Sequence, residues 1–191
     1  MILPILAYGD PILKKKAVDI HTSYEGLEEL IKNMFDTMYQ AKGVGLAAPQ
    51  VGHSIRLFII DPSPYADEDI KVEKLKKVFI NARILETFGK DELFNEGCLS
   101  IPDIREEIER KDQIQIEYQD EKGQKFSETY DGIAARVIQH EYDHIEGKLF
   151  TDRLSPLRKR MLQNRLDLIS KGEIKVEYKM KFPHKKKRKS A

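Results

Sequence analysis

The chain has 191 residues, of which 40% are apolar and 34% charged, with a single cysteine and no tryptophan. That length suits one domain with a sizeable core, and one thiol excludes an internal disulfide framework and favours a reducing compartment. No apolar run approaches the ~20 residues of a membrane-spanning helix, and the opening MILPILAY lacks the basic start of a secretory signal, so a cytoplasmic setting is expected. The net charge of +1 is unevenly spread. Residues 179–191 hold seven of the 33 basic groups, which leaves 26 basic against 32 acidic groups over 1–178. An acidic body with a basic tail is not a general nucleic-acid binder along its whole face, and no specific DNA partner is expected. The tail reads either as a solvated, flexible end or as an electrostatic attachment to a polyanion such as ribosomal RNA.

In chain order, 27–41 carries Leu27, Leu30, Ile31, Met34, Phe35 and Met38 at helical spacing, with Gly43 as a stop. IRLFII at 55–60 predicts a buried strand that breaks at Asp61-Pro62, and the charged 65–77 stretch predicts a surface loop. VFINARIL at 78–85 predicts a further strand. Ile114, Ile116 and Tyr118 alternate with polar residues, and Lys122-Gly123 turns the chain into a hairpin arm ending near Tyr130. Residues 132–146 (GIAARVIQHEYDHIE) predict a helix through the core, with Asp131 as cap and Gly147 as stop. Ser155-Pro156 opens a C-terminal helix over 156–171. The expected fold is α+β, with mainly antiparallel sheet packed around the 132–146 helix. One domain over 1–172 and a flexible basic tail over 173–191 are expected.

His140-Glu141-Tyr142-Asp143-His144 is an H-E-x-x-H motif on that helix. Residues i and i+4 share a face, so both imidazoles can reach one metal ion, and Glu141 lies where it can take a proton from a coordinated water. Chance would produce this motif about 0.012 times in such a chain. Ile133 and Val137 lie on the same stripe, which faces the interior, where an unpaired imidazole pair would be costly. A catalytic metal normally takes three protein ligands. No histidine follows His144 until His184, so Cys98, in Glu96-Gly97-Cys98-Leu99-Ser100, is the better third candidate, although a lone cysteine is often a buried small hydrophobe. Gly97 beside it permits close backbone approach. Gly43-Val44-Gly45-Leu46-Ala47-Ala48 imitates a dinucleotide fingerprint. That reading fails, because the segment follows a helix and Pro49 with Gly52 would break the helix a pyrophosphate needs.

Together, GVGLAAPQ at 43–50, EGCLS at 96–100 and QHEYDH at 139–144 resemble the three motifs of the peptide deformylase family in order and spacing, and the similarity runs from LAYGDPIL to about Leu154. The resemblance implies a metal-dependent hydrolase that removes the formyl group from the N-terminal formyl-methionine of nascent polypeptides and releases formate. It implies Cys98, His140 and His144 as ligands of one divalent ion, Fe²⁺ in many native forms, with Zn²⁺, Ni²⁺ or Co²⁺ able to occupy the site. Glu141 would be general base and acid to a metal-bound water, Gln50 and the Leu99 N–H would hold the oxyanion, and Gly45 would align the peptide backbone. Val44, Gly97, Ile133 and Val137 are candidates for the substrate pocket, with ordinary core packing as the alternative for the apolar ones. Val44 stands where the family often has isoleucine. Glu96 and Arg105 read as supporting or substrate-side groups, or as a surface ion pair. In some members the C-terminal helix docks on the ribosome, which makes helix 156–171 and the basic tail candidates here. A zinc peptidase, a non-catalytic ribosome-binding factor and a nucleotide-dependent oxidoreductase are the alternatives.

Overall fold

The computed structural model describes residues 1–21 and 23–184. In chain order the elements are β1 (Ile5–Leu6), α1 (Leu27–Gln40), β2 (Gly45–Ala47), β3 (Leu57–Ile60) and β4 (Lys77–Cys98), then β5 (Ile101–Gln119), β6 (Lys125–Asp131), α2 (Gly132–Ile145), α3 (Pro156–Lys171) and β7 (Met180–Lys181). The five strands β2–β3–β4–β5–β6 form one antiparallel sheet, and β1 pairs with β7 in parallel. The class is α+β, as the alternating patterns predict.

β3 is apolar without interruption because both of its faces are covered. Successive strand side chains point to opposite sides. Leu57 and Ile59 therefore meet Met34 and Met38 in the α1 layer, while Phe58 and Ile60 meet Val137 and Ile138 in the α2 layer. α2 thus lies against the sheet face opposite α1. A third cluster joins Leu162, Leu166 and Ile169 of α3 to Ile104 and Ile108 of β5.

The structure departs from the expected elements in four places. β4 and β5 extend well beyond 78–85 and 114–118, forming a long hairpin interrupted by register shifts. Along 101–110 the buried positions are Ile101, Pro102, Ile104, Glu106, Ile108 and Arg110, so charged inward residues interrupt the apolar alternation. The 65–77 stretch is not a plain loop: 3-10 turns occupy Ser63–Tyr65 and Ile70–Val72. Asp131 stands at the N-cap of α2 but makes no side-chain cap bond, because its carboxylate receives Lys71 instead.

The fourth departure is the tail. The flexible end expected over 173–191 gives way, up to His184, to an extended segment folded back on the domain. Its inner side chains are Ile174, Val176, Tyr178, Met180 and Phe182, at strict two-residue spacing. Ile5 and Ala7 donate backbone hydrogen bonds to Lys179 and Lys181 at 2.9 Å. The lysines of this segment point outward, which disguises its apolar face in the composition. The KKKRK run at 185–189 lies outside the described residues.

Candidate metal centre and catalytic cleft

Each part of the cleft comes from a different element. α2 carries His140 and His144 one turn apart, with ring centroids separated by 5.1 Å in an edge-to-face arrangement. Cys98 ends β4, and the two-residue turn Leu99-Ser100 leads into β5. The hairpin brings the Cys98 thiol to 3.3 Å from His144 Nε2, and one ligand atom from each of Cys98, His140 and His144 lies within 4.8 Å of the others. The three candidate ligands therefore converge.

One sulfur and two imidazole nitrogens suit Zn²⁺ or Fe²⁺, and their convergence fits a three-ligand site. A second observation supports the fit. Glu141 Oε2 is buried beside this group without a hydrogen-bond partner among the described residues, a costly state for a carboxylate unless something in the cleft engages it. Burial pushes the Glu141 carboxyl up to about 7, against the opposing pull of His140. The buried His144 Nδ1 is likewise unpartnered.

His140 is held from behind. Its Nδ1 lies 2.9 Å from Glu96 Oε2, and a carboxylate there fixes the tautomer that leaves Nε2 free to coordinate. Although burial works against it, bonds from Arg110 and His140 keep the Glu96 carboxyl far below its ordinary range. Arg110 grips Glu96 through two bonds of 2.7 and 2.9 Å and reaches Asp143 at 2.7 Å. Arg153 takes Asp143 in a second bidentate pair at 2.8 and 2.9 Å. Arg136 adds a bond of 3.2 Å to Glu96. Buried charges of both signs are thus paired and hydrogen-bonded, the condition under which they are tolerated.

The motif 43–50 forms the opposite wall. Gly45–Ala47 is the strand β2, and Ala48–Val51 is a 3-10 turn rather than the helix a dinucleotide would need. Gln50 is 2% exposed. Its Oε1 accepts the Ala47 N–H at 2.8 Å, so its amide nitrogen faces Cys98 Sγ at 3.5 Å and Ser100 Oγ at 3.2 Å. Gly45 is required by proximity: a Cβ there would stand 2.8 Å from Glu141 Cγ and collide with the carboxylate. A Cβ on Gly43 would likewise meet Leu99 Cδ1 at 2.7 Å. Among the described residues β2 pairs with β3 alone and is an edge of the sheet, open to pairing by an extended peptide.

Between these walls lies a cleft of about 380 Å³. Val44, Gly45, Gly97 and Val137 line it beside Cys98, His140 and Glu141. Ile133 is not among its lining residues and packs against the Phe58 core cluster instead. Glu96 is a buried member of the site and not half of a surface pair, whereas the exposed Arg105 lines the rim and bonds Asn95 Oδ1 at 2.6 Å. Sequence reasoning missed Tyr65, Phe94 and Tyr178, which also line the cleft, and the arginines of the buried network. Tyr65 sits edge-on to Phe94 at 6.1 Å, so the 65–77 stretch begins with a cleft residue.

Comparison with known proteins agrees with this geometry. The sequence model described as polypeptide deformylase matches residues 2–160. A peptide deformylase of Christiangramia forsetii is 61% identical over 194 residues, covering 98% of this chain and 99% of its own.

The chain belongs to the polypeptide deformylase family.

A second family member, from Flavobacterium psychrophilum, is 52% identical over 97% of this chain and 100% of its own. The crystal structure of a peptide deformylase from Legionella pneumophila superposes with a TM-score of 0.78 at 40% identity, covering 91% of this chain and 98% of that one. The Thermotoga maritima peptide deformylase gives 0.73 at 43% identity, over 82% and 99% of the two chains. The family is metal-dependent and removes N-formyl groups from nascent peptides, so this protein is a hydrolase of that class. Among the described residues, no helix is long and apolar enough to cross a membrane.

Proposed function

We propose that Cys98, His140 and His144 hold one divalent ion, Fe²⁺ in the cell, and that Glu141 and Gln50 with the Leu99 N–H perform the hydrolysis around it. The observation that carries this reading is the Glu141 carboxylate, whose Oε2 has no partner among the described residues, buried beside a converging thiol and two imidazoles. When bound, such an ion acts as a Lewis acid and can lower the pKa of a coordinated water from 15.7 to about 7. Glu141 would be placed to take a proton from the water whose oxygen adds to the formyl carbon, and to hand that proton to the amine nitrogen as the C–N bond breaks and formate departs. As the tetrahedral centre forms, the Gln50 amide and the Leu99 N–H stabilise its oxyanion. The Gln50 amide is aimed in advance by its bond to Ala47, so no reorganisation is needed at the moment of reaction. The peptide backbone lies along the open edge of β2 at Gly45, and Val44 and Val137 face the methionine side chain across the cleft.

The decisive test is formate release from formyl-Met-Ala-Ser, run with metal analysis of the purified protein. Cys98→Ala is expected to abolish both bound metal and formate release. An enzyme that instead cut internal peptide bonds, or kept its metal without Cys98, would overturn the reading.

A cytoplasmic, ribosome-proximal site of action is part of the proposal. α3 supports it, because Leu157 and Met161 are 72% and 62% exposed one turn apart, near the exposed Arg160 and Arg165. Charge reversal at Arg160 and Arg165 should reduce co-sedimentation with ribosomes at low salt. Unchanged co-sedimentation would remove α3 from this role.

A further inference from the structure

The two-residue turn Leu99-Ser100 joins Cys98, at the end of β4, to Ile101, at the start of β5, and the Leu99 N–H follows directly on Cys98. Its backbone is held at two carbonyls by segments remote in sequence. The Tyr8 N–H donates to the Ser100 carbonyl at 2.9 Å. The Tyr178 hydroxyl donates to the Leu99 carbonyl at 2.7 Å. Gln50 adds its bond to Ser100 Oγ.

Tyr178 is itself well anchored. It precedes β7 by two residues, and the β1–β7 pairing fixes the backbone on which it stands. Its ring packs against the core cluster around Met34 and Met38, and it lines the cleft. Burial, with the nearby charges of Cys98 and Asp103, holds the phenol above its ordinary range. The adjacent Glu177 lies 3.6 Å from Lys42 on the opposite rim, although both side chains are at least 84% exposed and such a pair contributes little. The returning chain therefore touches both sides of the cleft mouth.

We propose that Tyr178 is a positioning residue for the deformylation reaction, its hydroxyl fixing the Leu99-Ser100 peptide so that the Leu99 N–H stays aimed at the developing oxyanion. The inference rests on the role given to Leu99 above. Tyr178 does not contact the reacting atoms, and Phe at this position would keep the ring packing while removing the single donor. A donor left loosely oriented is worth less at the transition state, where small displacements matter most.

The test compares Tyr178→Phe with the wild-type protein for kcat and KM on formyl-Met-Ala-Ser, together with metal content and melting temperature. The expected result is a fall in kcat of about threefold to tenfold, with KM, bound metal and melting temperature unchanged. Unchanged kcat overturns the inference. So does a rise in KM alone, which would make Tyr178 only a wall of the substrate pocket, and so does a fall in kcat that merely follows lost metal or lost stability. Failure of the underlying reading is separately visible, because the wild-type protein would then release no formate.

Discussion

Replacing Glu141 by glutamine will lower kcat by roughly 10²–10⁴, the usual worth of a positioned general base, with metal content and fold retained. Glutamine preserves the shape and keeps an oxygen, but it cannot accept a proton. The position tolerates no other compensation. Glu141 is 4% exposed, packs directly on Gly45 and has one oxygen without a partner. Burial has already raised the readiness of this carboxyl to carry a proton to about 7, close to the pH at which it must both take one and give it up. Parallel measurement of kcat and metal stoichiometry checks the prediction. Turnover within tenfold of wild type, in protein that keeps its ion, would remove Glu141 from the proton path.

Arg110→Leu is expected to destabilise the protein by about 3 kcal/mol, which for a chain of this size corresponds to a drop of roughly 6–12 °C in melting temperature. Arg110 is 3% exposed and joins Glu96 to Asp143. Without it both carboxylates stay buried with fewer partners: Asp143 keeps Arg153, and Glu96 keeps Arg136 and His140. Removing one member of a buried ionic group costs more than the group contributes net, because the remaining charge stays desolvated. A second effect separates this change from simple instability. Glu96 orients His140, so affinity for the metal should fall about 10- to 100-fold. Urea unfolding and metal titration measure the two consequences independently. A loss below about 1 kcal/mol, with unaltered metal affinity, would show that Arg153 and Arg136 suffice alone.

Much of this protein was legible in its sequence wherever the information is local. The H-E-x-x-H spacing places two imidazoles on one helical face whatever the rest of the chain does. Leu57 to Ile60 is a strand because its apolar run is short, β-branched at the end and closed by Asp61-Pro62. Ser155 caps α3 as its position before Pro156 foretells, accepting from the Arg158 N–H. Reading was poorer where inward positions are charged. Glu106 and Arg110 break the apolar alternation of β5, since their burial depends on Arg158 and on Glu96 and Asp143, partners scattered over three other elements. The tail misled for a related reason. Ile174, Val176, Tyr178, Met180 and Phe182 keep a two-residue period that signals a strand, but the lysines between them dominate the composition.

Sequence alone therefore determined two histidines one turn apart on a helix, a glutamate beside the first of them, and a glycine-rich segment at 43–52. Only the folded chain decided that the Cys98 thiol meets those imidazoles, with 41 residues intervening before His140. It also decided that Ile133 turns to the core, that Glu96 stands behind His140, and that Tyr178 returns to the cleft from beyond α3. The physical reason is the same in each case. Backbone periodicity is written into neighbouring residues, whereas the partner of a buried polar group is chosen by packing between distant segments, where only the complete arrangement makes desolvating that group tolerable.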